Sequence, residues 1–480
     1  MTNSASSFRI LLYGGYASKF LLAMQSILLF PVYVNFIGTD LLGYWVVTGG
    51  LVGWLAITEI GVTTVLLNDL SEKNSKKGRL EATRVFSASL YFFIFIAILI
   101  IVLGLILALN IDNIYDISNK YISDIRSALI IAVLALSLEI MSQYLATFHQ
   151  AILRPSPVVF SLLISQIIAI VMIIILLNLG FGLVGIALGA LIKGVINFFL
   201  LLRSSVNLGY FTKVFREDFS EQTRHLLYVS KFLVISKVSS SLVRNIEPVL
   251  LAFVLDPTKV LAYSVTQKSA VLCLQIINEI TGAAFPSLSN FNCNSKNKLF
   301  DYGVEKTFIV VAGFSTIVFS GYIIFNEAFV TLWMGKSLYF GIELTIFTAL
   351  SYVVLTWFNL SQSICLIKNK IPAYSFIVAT EALSRFFLMI ALIYLGYYLP
   401  PIASFFTIIL ATLYINHYMF GFQFFVKVSR PFLIYFLTLL SSIGLVYSYG
   451  EQISVFSVFS VFFIGTIVII LRNYKMVKYV

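Results

Sequence analysis

Six charged residues that interrupt apolar stretches of the sequence are the ones whose chemistry could serve a function. They are Lys19, Lys237, Arg244, Lys268, Glu139 and Glu247. A charge at membrane depth costs about 2.5–3.5 kcal/mol on insertion scales, so such groups normally face a cavity or a partner. Fixed cations in a cavity of low dielectric constant bind anions, phosphates above all, through charge-assisted hydrogen bonds. The set therefore predicts an internal cationic binding site.

Polar residues in two neighbouring apolar segments recur with helical spacing. The first segment carries Lys237, Ser240, Ser241, Arg244 and Pro248, and the second carries Ser264, Lys268, Gln275, Asn278 and Gly282. A period of about 3.6 residues places each group on one face of a helix. Each helix is thus predicted to present one polar stripe.

The candidate roles leave alternatives open. Arg244 and Lys268, helped by Lys19 and Lys237, are predicted to bind an anionic substrate. Arg244 could instead pair with a carboxylate three residues on, and Lys19 and Lys237 lie about 10 Å inside their helices, close enough to snorkel.

Two carboxylates are candidates for ion coupling. Glu139 is predicted to stand alone in its span, where it would either carry a proton or be kept neutral by burial, and Glu247 is the second candidate. Glu381 and Arg385, four residues apart, are predicted to form a structural ion pair instead.

The composition is that of a membrane protein. Of the 480 residues, 60% are hydrophobic and 11% charged, whereas soluble proteins average about 25% charged residues. Several charge-free apolar runs, among them residues 86–111 and 344–367, exceed the roughly 20 residues that a membrane-spanning helix needs.

The pattern predicts an all-α polytopic membrane protein of about 14 transmembrane helices. The predicted spans are 12–37, 42–67, 85–109, 125–149, 157–178, 183–202, 229–254, 260–284, 306–326, 342–367, 372–396, 400–424, 431–449 and 453–471. A faint repeat, Ser18-Lys19 with Pro31 against Ser236-Lys237 with Pro248, indicates two pseudo-symmetric six-helix lobes. The lobes are residues 1–225, including a linker, and 226–426, and the last two helices follow in 427–480.

The distribution of Lys and Arg predicts the orientation. With both termini in the cytoplasm, 21 of the 32 basic residues fall in predicted cytoplasmic regions and 4 fall on the opposite side. This is the bias of the positive-inside rule, so the net charge of +11 does not indicate a nucleic-acid partner.

The sequence carries no recognisable catalytic or metal-binding pattern. The three cysteines have no motif spacing, the three histidines are far apart, and no GxxxxGK[ST] loop for ATP occurs. We therefore predict a protein with no catalytic residues, metal or cofactor.

Two stretches carry a resemblance to a known family. FPVYVNFIGTDLLGYWVV, residues 30–47, and ITEIGVTTVLL, residues 57–67, resemble the first helical hairpin of the Wzx-type polysaccharide flippases. That family belongs to the exporter superfamily that also holds the multidrug antiporters and the lipid II flippases. The resemblance extends over nearly the whole chain.

The resemblance implies two lobes around a central cavity and transport by alternating access, with an ion gradient as a candidate driving force. It implies export of an undecaprenyl-pyrophosphate-linked oligosaccharide across the bacterial inner membrane for O-antigen, lipopolysaccharide or other surface polysaccharide, with membrane lipids, a polysaccharide polymerase and a chain-length regulator as partners. A multidrug or small-metabolite antiporter of the same fold is the first alternative. A membrane-embedded enzyme acting on a lipid-linked glycan is the second.

The predicted orientation can be tested by cysteine labelling in a variant without the native cysteines. Single cysteines within residues 70–80, 205–222 and 472–480 should react only from the cytoplasmic side, and those within 112–122 only from outside. Labelling of residues 112–122 from the cytoplasm alone would contradict the fourteen-helix topology.

Overall fold

The computed structural model describes most of the chain between residues 21 and 421. The described residues are 21, 24–55, 63, 65–67, 69–71, 79–152, 154–208, 224, 235–236, 238–239, 246–293, 297–368, 370–419 and 421. Helices and turns make up these ranges, and no strand occurs within them.

Eleven helices longer than ten residues lie within the described ranges. They are α1 (Met24–Ile37), α2 (Thr39–Leu55), α3 (Arg79–Leu109), α4 (Asn119–Ala151), α5 (Ser156–Asn178), α6 (Gly182–Asn207), α7 (Pro257–Cys293), α8 (Asn297–Met334), α9 (Ile342–Ile367), α10 (Ile371–Ile393) and α11 (Pro400–Met419). Of the predicted spans, 229–254 is described only in part, by the short helix Ile246–Leu251, and 431–449 and 453–471 lie outside the described residues.

Nine of these helices, α3 to α11, are long and apolar enough to cross a membrane. Together they make the described chain an all-α polytopic membrane protein, as predicted.

The main disagreement concerns the length of α7 and α8, which have 37 and 38 residues. Such a helix is about 55 Å long, whereas the hydrocarbon core of a bilayer is about 30 Å thick. The predicted start of α8 at residue 306 was wrong because the charges at 298–306 end the apolar run without ending the helix.

The internal contacts divide the chain into a first unit, Met1–Thr258, and a second unit, Lys259–Val480. In the first unit, the segment before α7 packs on α2 and on the loop after α3, where the Tyr115 hydroxyl donates to the Val249 carbonyl at 3.3 Å. The division into lobes after residues 225 and 426 stays a prediction.

The core of the first unit is built around stacked aromatic rings. Phe86 stacks on Tyr144 with ring centroids 4.4 Å apart, and Phe148 and Phe93 pack against this pair. The Tyr144 hydroxyl donates to the Phe86 carbonyl at 2.6 Å, so its polar end is satisfied within the apolar core. These contacts join α3 to α4, and α4 in turn packs along α6.

The core of the second unit combines apolar packing with buried hydrogen bonds. Phe308, Phe319 and Trp357 are among its largest buried side chains. Between α9 and α11, the Ser361 hydroxyl donates to the Asn416 side-chain oxygen at 2.9 Å. Such bonds between helices fix the rotation of each helix where apolar contacts alone would let it turn.

An ion pair buried in the second unit confirms the prediction for α10. Arg385 Nη2 donates to Glu381 Oε2 at 3.0 Å, and Arg385 Nε lies 3.0 Å from Glu381 Oε1. The Thr407 hydroxyl of α11 donates to the same carboxylate at 2.9 Å. The Glu381 side chain is only 1% exposed, so the pair and Thr407 replace the water that the carboxylate loses.

Neutralising one member of this pair should destabilise the protein. Arg385→Ala leaves a buried carboxylate unmatched, at a cost of about 3–5 kcal/mol. The double change Glu381→Arg, Arg385→Glu should recover part of the loss, because the pair can form again while Thr407 loses its acceptor. Membrane abundance and the thermal unfolding midpoint are the measurements.

The matched control is the exposed pair Arg126–Asp112, whose side chains are 35% and 38% exposed and 3.1 Å apart. Arg126→Ala should cost about 1 kcal/mol or less, since water replaces the lost contact. A stable, abundant Arg385→Ala protein without transport activity would contradict the structural role.

Candidate functional site

The polar stripe predicted on α7 is present in the structure. Its members, Ser264, Lys268, Gln275, Asn278 and Gly282, are all half-buried or exposed. Residues on the opposite face, among them Tyr263, Ala270 and Ile277, are completely buried in the second unit. The helix therefore has one face in the core and one polar face turned away from it.

Hydrogen bonds to α8, α9 and the loop between them anchor the buried face of α7. The Thr266 carbonyl accepts from the Tyr322 hydroxyl at 3.1 Å and from the Asn326 amide at 3.0 Å. The backbone N–H of Phe340 donates to the Thr266 hydroxyl at 2.9 Å, and the Ser269 hydroxyl donates to Asn326 at 2.6 Å. These bonds set the rotation of α7 about its axis.

Lys268 lies on the side of α7 opposite to these anchors. At about 100° per residue, it is separated by roughly 180° from the middle of the arc that holds Thr266, Gln267 and Ser269. The Gln267 amide donates to the Thr348 hydroxyl at 3.2 Å, so the anchors extend to α9. The anchored rotation thus directs Lys268 away from the packed face of α7.

Ser264 adds an unused hydrogen-bonding group one turn before Lys268. Its hydroxyl oxygen is buried and has no hydrogen-bond partner among the residues that the structure describes. A buried hydroxyl without a partner costs free energy, so Ser264, one turn before Lys268, is a candidate ligand-binding group. Ammonium and hydroxyl together can donate to one anionic group.

In the first unit, the structure corrects the prediction that Glu139 stands alone. Lys193 Nζ of α6 lies 3.4 Å from Glu139 Oε2 of α4, and the Glu139 side chain is still 37% exposed. Gly194 allows this approach, because a Cβ atom there would lie 3.2 Å from the Ala135 carbonyl oxygen. The error arose because the partner is on another helix, 54 residues away.

The remaining predicted site residues cannot be placed together. Lys19, Lys237 and Arg244 lie outside the described residues. Glu247 is half-buried in the short helix Ile246–Leu251 of the first unit. Of the predicted substrate-binding set, the structure thus describes Lys268 alone.

One further polar side chain, that of His149, is buried in the core of the first unit. His149 Nε2 lies 3.2 Å from the Ser205 hydroxyl between α4 and α6. Within the described part of the chain, no group of three or more His, Cys, Asp or Glu residues could hold a metal ion. The candidate groups that the structure describes are therefore an ion-paired carboxylate, Glu139, in the first unit and, separately, a cation, Lys268, on the polar face of α7 in the second unit.

Sequence reasoning missed the residues that orient this site. Asn326, Thr266 and Lys193 were not assigned to it, although each is a polar residue within an apolar helix. Asn326 is 2% exposed and bonds to α7 and, through the Thr345 hydroxyl at 3.1 Å, to α9. An amide at the end of the predicted span 306–326 was the available signal.

Solved structures of membrane transporters share this fold. The lipid II flippase MurJ in an inward closed conformation matches with a TM-score of 0.72 at 14% identity, covering 98% of this chain and 99% of MurJ. The Vibrio cholerae MATE transporter VcmN matches with a TM-score of 0.60 at 13% identity, covering 94% and 99%. The MATE multidrug transporter DinF-BH matches with a TM-score of 0.62 at 15% identity, covering 87% and 97%.

The likeness to these structures confirms the predicted fold class, an all-α polytopic protein of about 14 transmembrane helices. The shared fold is the one that the resemblance implied. No curated protein sequence matches the chain. The family model described as polysaccharide biosynthesis protein matches residues 15–292, more than half of the chain, and the chain therefore belongs to that family.

Proposed function

We propose that this protein is a Wzx-type flippase. It moves an undecaprenyl-pyrophosphate-linked oligosaccharide from the inner to the outer leaflet of the bacterial inner membrane, for O-antigen or another surface polysaccharide. Membership of the polysaccharide biosynthesis family supports the pathway, and the fold shared with a lipid II flippase supports transport of a lipid-linked glycan. Both findings favour a transporter, and they therefore support this proposal over an enzyme that acts on the same lipid.

Lys268 is the observation that carries the proposal. Lys268 is half-buried on the polar face of α7, one turn after Ser264, and an ammonium group is suited to a phosphate oxygen. The hydrogen bonds to α8 and α9 keep the helix from rotating to bury the charge. A pyrophosphate moving past this face would meet donors that are already oriented.

Arg244, Lys19 and Lys237 complete the proposed site. Arg has a planar fork that can bond two phosphate oxygens at once, whereas Lys acts as a point charge. A set of separate cations suits transport, since the ligand must be bound firmly enough to enter and loosely enough to leave.

Glu139 and Glu247 are the proposed ion-coupling residues. Glu139 combines a cationic partner with a partly exposed side chain, so a proton or metal cation can reach the carboxylate when the contact with Lys193 opens. Competition between Lys193 and the coupling ion would link ion uptake to a change in the packing of α4 on α6.

The proposed orientation has both termini in the cytoplasm. Within the first unit, the loop 115–117 and the turn 252–257, both predicted to lie outside, line one pocket with α2. Within the second unit, ends predicted to be cytoplasmic meet: Asn292 donates to the Ile367 carbonyl at 3.1 Å and Lys368 to the Met419 carbonyl at 3.4 Å. Within each unit, segments that are predicted to lie on the same side of the membrane are thus in contact, which supports the proposed orientation.

A polysaccharide polymerase and a chain-length regulator are the proposed protein partners.

A multidrug or small-metabolite antiporter is the second candidate. The fold shared with MATE transporters supports it, and the carboxylate of Glu139 is a group that could bind a cationic compound. The cationic face of α7 favours an anionic substrate instead.

The anion site can be tested by surface glycan display in a strain that lacks its own flippase. Lys268→Ala and Arg244→Ala should each lower export about 10- to 100-fold at unchanged membrane abundance, because each removes a charged hydrogen bond. Arg244→Lys should be milder, and Ser264→Ala should cost less than Lys268→Ala.

Lys259→Ala is the matched control, since it removes the same charge from the anchored side of the same helix and should leave export intact. Normal display by well-expressed Arg244→Ala and Lys268→Ala proteins, singly and combined, would remove these residues from the transport path.

The ion-coupling role can be tested in proteoliposomes with an imposed ion gradient. Glu139→Gln removes the carboxylate that would bind the coupling ion, so it should abolish the response of transport to the gradient. The affinity for the substrate should stay within about twofold of the wild-type value. Lys193→Gln combined with Glu139→Gln should give more protein than Lys193→Gln alone, since no unpaired buried charge remains.

Glu279→Gln, a half-buried carboxylate on α7, is the control and should keep the response to the gradient. Transport by Glu139→Gln that still follows the gradient would assign the coupling to another group.

A further inference from the structure

A pocket of about 320 Å³ lies in the first unit, among the loops predicted to face outward. Its walls are the beginning of α2, the loop 115–117 and the turn 252–257 that precedes α7. The volume is at the lower end of the range for small-molecule sites, about 300–1,000 Å³. The pocket has no part in the anion site proposed for Lys268.

Close contacts hold the walls of this pocket in place. The Tyr44 hydroxyl donates to the Asp116 carbonyl at 3.3 Å, and the rings of Tyr115 and Phe253 lie 4.9 Å apart. Gly43 packs directly on Pro257, because a Cβ atom at residue 43 would overlap the Pro257 carbonyl group. The glycine of the Gly-Tyr pair thus lets the loop approach, and the tyrosine beside it lines the pocket.

The walls offer the groups that recognise a sugar ring. Tyr44, Tyr115 and Phe253 line the pocket with aromatic rings, and Phe253 is the most exposed of the three at 59%. Burial raises the pKa of Tyr115, so its phenol stays neutral and its hydroxyl keeps donating to the Val249 carbonyl. Asp116 and Asp256 supply carboxylates, which accept hydrogen bonds from hydroxyl and ammonium groups.

The charge of the lining restricts the ligand. The pocket is lined by two carboxylates and, among the described residues, by no Lys or Arg. A pyrophosphate or an acidic sugar would be repelled, whereas an uncharged sugar or an amino sugar would be accepted. A lipid-linked glycan has anionic phosphates at one end and sugars with hydroxyls at the other. The pocket therefore suits the sugars, whereas the polar stripe of α7 suits the phosphates.

We propose that this pocket binds an uncharged or amino-sugar unit of the exported oligosaccharide on the outer side of the membrane. The proposal rests on the proposed flippase function and on the predicted orientation. It assigns to the first hairpin a role in holding the glycan once it has crossed, which opposes its return to the inner side.

Saturation-transfer NMR on the full-length protein in lipid nanodiscs tests the proposal. Methyl N-acetylglucosaminide and methyl glucoside should receive saturation from the wild-type protein, and methyl glucuronide should not. Asp116→Asn, which keeps the shape of the side chain, should weaken the binding of the neutral glycosides about tenfold, and Tyr44→Ala should do the same. Asp124→Asn, an exposed carboxylate outside the pocket, is the control and should bind like the wild type.

A competition experiment distinguishes a site for the lipid-linked glycan from a site for free sugars. Undecaprenyl-pyrophosphate-linked oligosaccharide should displace the free glycosides, and failure to displace them would make the pocket a site for free sugars and overturn the proposal. The proposal would also be overturned if the glucuronide bound equally well, or if Asp116→Asn and Tyr44→Ala both bound like the wild type.

A parallel export assay separates this proposal from the proposed function. Glycan export without any sugar signal in nanodiscs would overturn the pocket and leave the flippase in place. A sugar signal that depends on Asp116, in a protein that exports nothing, would contradict the flippase and leave the pocket as a sugar site of another function.

Discussion

Charge within a membrane-spanning helix bundle must be matched by a partner or turned towards water, and this constraint explains much of the structure. Glu381 meets it with Arg385 and the Thr407 hydroxyl, and Glu139 meets it across two helices with Lys193. The anchored rotation of α7 places Lys268, whose side chain is half-buried, on the polar face of that helix. The proposed binding of an anion would add a counter-charge at this position.

The anchors on α7 show how ordinary packing sets the orientation of the proposed binding face. Thr266, Tyr322 and Asn326 touch no proposed substrate, yet their hydrogen bonds decide which face of α7 is buried. In the first unit, the contact of Gly43 with Pro257 likewise holds the walls of the pocket beside Tyr44 in place. In both places the residues that position the site are uncharged.

The sequence was informative where the interaction is local. The stripe on α7 and the pair Glu381–Arg385 depend only on helical spacing, so periodicity predicted them correctly. The contact of Glu139 with Lys193 depends on how two distant helices pack, which no local pattern specifies. The predicted start of α8 was also wrong, because hydropathy indicates which residues lie in the membrane and not where a helix begins outside it.

The central claim is that a lipid-linked glycan, and not a cationic drug, crosses through this protein past Lys268. The most direct measurement is the flipping of a labelled undecaprenyl-pyrophosphate oligosaccharide in proteoliposomes that contain the purified protein. The account predicts glycan movement between leaflets well above that in protein-free liposomes, and its loss in Lys268→Ala. Movement no faster than in protein-free liposomes, by a protein that does transport organic cations, would contradict it.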